Sequence, residues 1–71
     1  MLFRVHLVKG GIYLGGLGFV NPKEVVAIVV ATGPGFEGVE GKTVIMLPNQ
    51  RHIICEETVE EVAKSVEMSD H

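Results

Sequence analysis

The sequence predicts an α+β domain: a small antiparallel sheet of about four strands, flat or curled towards a barrel, with a C-terminal helix packed on one face. Three observations predict it. Residues 43–47 and 51–55 are runs rich in Val, Ile and Thr on either side of Pro48-Asn49-Gln50, the composition of a β-hairpin and its turn. Thr58-Val59-Glu60-Glu61 is a capping box, in which the Thr58 hydroxyl can accept from the Glu61 N–H while the Glu61 carboxylate reaches back to the Thr58 N–H. Behind it Val59, Val62, Ala63 and Val66 fall at i, i+3, i+4 and i+7, one apolar stripe on a short helix.

The elements upstream follow in order. Phe3, Val5 and Leu7 alternate with Arg4 and His6, the pattern of a half-buried strand. Lys9-Gly10-Gly11 supplies a turn and residues 12–14 start the return strand. Gly15, Gly16 and Gly18 predict a bulge or flexible tip before Phe19 and Val20 resume an extended path. Asn21-Pro22-Lys23-Glu24 has helix-start chemistry, but the β-branched run that follows limits it to one helical or 3₁₀ turn leading into a strand over 25–31. Residues 33–41 carry four glycines and a proline and read as a flexible loop, and 68–71 as a disordered tail of a single domain spanning 1–71.

At 71 residues there is little core to spare, and with Cys55 as the only cysteine no disulfide can form within the chain. The strands over 25–31 and 44–47 are apolar on both faces, whereas a helix of about ten residues, roughly 15 Å long, shields only one face of such a sheet. The second face therefore calls for a curled sheet or another copy of the protein. Val26, Val29, Met46 and Ile54 are the expected interaction surface, and a homo-oligomer with a further protein partner is the expected state.

The formal charge of -3 is unevenly placed: residues 56–71 carry -5 and residues 1–55 carry +2. The acidic excess suits a solvated helix face, with Glu56, Glu57, Glu60 and Glu61 near the positive end of the helix dipole. The longest apolar run, residues 25–31, is far too short to span a bilayer, and no small-x-small cleavage site follows the apolar stretch at 12–20. A cytoplasmic protein is expected.

Chemistry-bearing motifs are sparse. Gly15-Gly16-Leu17-Gly18 continues into a strand and Lys42-Thr43 enters one, so neither opens a helix as a phosphate-binding loop must. His52 and Cys55 lie three apart on one strand and point to opposite faces, which prevents them sharing a metal, and His6 stands elsewhere. No base can be assigned to activate Cys55, and the acids cluster on a solvated helix, so no enzyme, cofactor or metal is expected. Nucleic-acid binding is the alternative, with Arg4, His6, Lys9 and Arg51 as its surface and Tyr13, Phe19 and Phe36 as aromatics able to stack on bases; five scattered cations make a poor basic patch.

The order of signals, Val5-His6-Leu7-Val8-Lys9-Gly10, Val20-Asn21-Pro22 leading to Val26-Ala27-Ile28, Thr43-Val44-Ile45-Met46-Leu47-Pro48-Asn49-Gln50, and Glu56-Glu57-Thr58-Val59-Glu60-Glu61-Val62, resembles the FlbD family of small bacterial proteins, also called SwrD. Gln50 stands where that pattern has a turn glycine, Thr58 where it has Ser, and both glycine-rich stretches look like insertions. The resemblance implies a non-enzymatic accessory role tied to flagellar motor output and swarming. The same small scaffold also suits a nucleic-acid-binding or transcription-modulating protein of phage or mobile-element origin.

Overall fold

The computed structural model describes residues 1–69. Strands β1 (Phe3–Gly10), β2 (Tyr13–Val20), β3 (Ala27–Val30), β4 (Thr43–Met46) and β5 (His52–Cys55) form one antiparallel sheet in the order β2-β1-β5-β4-β3. The sheet is open, so β2 and β3 are its edges. A 3₁₀ turn at Pro22–Glu24 joins β2 to β3, with the Asn21 side chain accepting from the Lys23 N–H and Pro22 buried. Helix α1 (Val59–Ser69) closes the described chain and takes in Met68 and Ser69; Asp70 and His71, the rest of the expected tail, lie outside the described residues.

Pairing sorts the side chains onto two faces. Leu7↔Cys55, Ile45↔Ile53 and Ile28↔Ile45 put these residues on the face beneath α1, where Phe3, Val5, Val20, Ile45, Cys55 and Val62 form the larger core. The capping box is realised, the Glu61 N–H meeting Thr58 Oγ1 at 3.1 Å and Glu61 Oε1 accepting from the Thr58 N–H at 3.1 Å. From that start Val62 is driven into the core and Val66 packs beside it, while Ala63 stays exposed.

The opposite face carries its own small core of Val8, Val44, Ile54, Ala31 and Val39. Part of its cover comes from within the chain. The glycine-rich segment after β3 folds back over the sheet, burying Ala31 and Val39 and laying Phe36 edge-on against His52, with ring centroids 6.0 Å apart. The segment, expected as a flexible loop, carries backbone hydrogen bonds from Val39 N–H to Phe36 O at 3.1 Å, Gly41 N–H to Ala31 O at 3.0 Å and Lys42 N–H to Val39 O at 3.1 Å. The Glu37 and Glu40 carboxylates accept from the Gly35 and Gly38 N–H groups. Composition marks where glycine permits turns; burial of Val39, contributing about 1.5–3 kcal/mol, docks the segment together with Ala31, Phe36 and these hydrogen bonds.

β2 also departs from expectation. Its pairing with β1 holds one register from Phe3↔Val20 to Gly10↔Tyr13, so no residue is inserted and the strand is eight residues long. The local irregularity is conformational instead: Gly15 and Gly16 take φ of +79° and +103°. A Cβ at Gly15 would also stand 2.9 Å from that of Lys9, so only glycine fits there. The bulge lies at the other edge, where the Val26 N–H bonds the carbonyl of Met46, the strand partner of Ala27.

Candidate interaction surface

The β1–β2 hairpin is anchored at its base and free at its far end. At the base, Glu57 accepts from the His6 backbone N–H at 2.9 Å and from His6 Nδ1 at 2.7 Å, while the Glu56 N–H donates to His6 O at 2.8 Å. Burial of the Glu57 carboxyl pulls its pKa upward, but the hydrogen bonds from the His6 ring and backbone outweigh that, and Glu57 titrates below the ordinary glutamate range. Only Leu7↔Cys55 pairs β1 with β5. Beyond it the hairpin diverges and leaves an open apolar groove of about 450 Å³ lined by Leu7, Val8, Ile12, Tyr13, Ile53 and Ile54.

The outer strand of this arm exposes large apolar side chains: Leu14 is 92% and Phe19 63% exposed, with Ile12 and Leu17 also in solvent. No charged residue occurs from Gly10 to Pro22. Glycine makes room for the packing beneath, since a Cβ at Gly18 would stand 3.1 Å from Leu7 Cδ2. A strand edge of this length without charge or proline is a site at which another chain can add. Sequence reading missed it because Leu and Phe in a strand normally signal core; the available sign was the uncharged stretch of twelve or more residues, and topology supplied the rest by placing β2 at the edge.

The expected surface residues are dispersed. Val29, Met46 and Ile54 share the face beneath the glycine-rich segment, where Ile54 is buried and Met46 partly so; Val29 is exposed, and Val26 is exposed at the bulge. The basic residues are not brought together either. Arg4 and His6 lie two apart on one face of β1, Lys9 projects from the other face, and Arg51 sits by the 48–51 turn with its Nε donating to Pro48 O. His6, moreover, is engaged by Glu57.

Cys55 is fully buried, and burial, with the negative charges of Glu57, Glu56 and Glu61 adding to it, pushes its thiol up to about 11. It is a core thiol at neutral pH, facing α1, while His52 lies on the other face. No cluster of three metal-ligating side chains exists among the described residues, and none of their helices is long and apolar enough to cross a membrane.

Sheet order and hairpin together define a small open-sheet α+β domain with an uncharged apolar arm. Beyond that class, no family model, curated protein or solved structure matches the chain.

Proposed function

We propose that this chain is a small non-enzymatic binding or regulatory module that acts in the cytoplasm through protein contacts and associates with itself. The observation that carries this is the β1–β2 arm, whose Ile12, Leu14, Leu17 and Phe19 are held in water by a well-anchored base. Exposed apolar surface of this kind costs solubility unless a partner covers it. The resemblance of the 43–50 hairpin and the 56–62 capping-box segment to FlbD/SwrD proteins supports an accessory role in flagellar motor output.

Sedimentation velocity of the full chain at micromolar concentration tests self-association: a species larger than 7.7 kDa is expected, and a monodisperse monomer that binds no apolar dye contradicts it. Fluorescence anisotropy with DNA and RNA at low salt, where phosphate contacts are strongest, is expected to detect no binding; saturable binding there would move the function to nucleic acid.

A further inference from the structure

We infer that the tip of the β1–β2 arm docks on a lipid bilayer carrying anionic phospholipid, with Ile12 and Leu14 entering the boundary between headgroups and acyl chains. Lipid is a partner beyond the protein contacts proposed above, and its binding does not depend on self-association.

Apolar exposure is greatest at the tip. Ile12 is 87% and Leu14 92% exposed, against 57% for Leu17 and 63% for Phe19 further back. Gly10↔Tyr13 closes the hairpin, so Ile12 lies in the two-residue loop at its extremity. Tyr13 beside it has an apolar ring and a polar hydroxyl, the combination that suits a membrane–water boundary. Entry is tip first. Along its length β2 is an edge strand whose unpaired backbone groups water or another chain can satisfy and hydrocarbon cannot, whereas at the tip the hairpin pairs with itself.

Charge selects the surface. β1 and β5 run antiparallel through Leu7↔Cys55, which places Lys9 with Arg51 and His52 at the tip end of the sheet. Past Cys55 the chain leaves in the opposite direction, to Glu56, Glu57 and the acidic first turn of α1. Residues 1–23 contain Arg4, Lys9 and Lys23 and no acid. Glu37 and Glu40, on the segment packed against Val44 and Ile54, direct their carboxylates to the Gly35 and Gly38 N–H groups. Lys9 is the cross-strand partner of Leu14, so its ammonium can reach phosphate oxygens while Leu14 is submerged. Exposed apolar side chains flanked by cations match a surface that is anionic outside and apolar within.

The test is flotation of the full chain with vesicles of phosphatidylcholine alone and of equal parts phosphatidylcholine and phosphatidylglycerol. Wild type is compared with Ile12→Ser, Leu14→Ser, Lys9→Gln and Met68→Ser, and circular dichroism checks folding. Met68, 67% exposed on α1, is the control for apolar exposure away from the arm. Wild type is expected to float with the anionic vesicles and less with phosphatidylcholine alone. Ile12→Ser and Leu14→Ser should each lower that partition about tenfold. Lys9→Gln should lower it about fivefold on anionic vesicles only, and Met68→Ser should leave it unchanged. Wild type that does not float with anionic vesicles overturns the inference. So do folded Ile12→Ser and Leu14→Ser that bind like wild type, or a loss on Met68→Ser equal to theirs. Sedimentation velocity without lipid reads self-association separately, so either can fail while the other stands.

Discussion

His6 offers two donors to one carboxylate: its backbone N–H and its ring Nδ1 both reach Glu57, at 2.9 and 2.7 Å, and so pin the hairpin to the segment leading into α1. Because folding lowers the Glu57 pKa, the unfolded chain binds the extra proton in acid, so the contribution is complete above the ordinary value of 4.5 and is lost as pH falls through the lowered one. Glu57→Gln should cost about 1 kcal/mol at neutral pH, limited by water around the half-exposed ring, and flatten the stability profile below pH 4.5. Urea titrations across that range check both effects.

The reciprocal bonds between Thr58 and Glu61 fix where the helix starts. Thr58→Ala should lower stability by about 1 kcal/mol, while Thr58→Ser, which keeps the acceptor oxygen, should stay close to wild type. Chemical denaturation of the two variants measures the difference.

Asn49 and Gln50 both sit in the left-handed region, at φ of 63° and 62°, in a two-residue turn closed by Arg51 N–H to Pro48 O. Asn tolerates this; Gln carries the steric cost of a Cβ there. Gln50→Gly should therefore stabilise the protein, by about 0.5–1 kcal/mol once glycine's added unfolded-state freedom is subtracted. A rise in thermal midpoint is the expected result.

Val39 is the buried anchor of the glycine-rich cover. Val39→Ala should cost about 2 kcal/mol and increase the binding of an apolar dye as Val44 and Ile54 lose their lid. An unchanged midpoint together with unchanged dye binding would mean that the segment does not seal this face.

Local chemistry made most of the fold legible. The Thr58–Glu61 capping box, the 3₁₀ turn at Pro22–Glu24 and the opposite orientations of His52 and Cys55 follow from spacing alone. The need for a second cover was also legible from the run 44–47, where Val44 and Met46 take one face and Ile45 and Leu47 the other; its source was not. Glycine content hid the role of Val39, because a single apolar anchor leaves no periodic signal. The surface was the least legible part. Whether Leu14 and Phe19 are core or exposed depends on the strand order β2-β1-β5-β4-β3, a long-range property that no local pattern encodes.

Hydrogen exchange of the β2 amides as a function of protein concentration tests the central claim most directly. Covering of the exposed edge by another copy predicts that amides of the β2 stretch from Leu14 to Phe19 that exchange rapidly in dilute solution gain protection as concentration rises. Exchange across that stretch that does not change with concentration would contradict it.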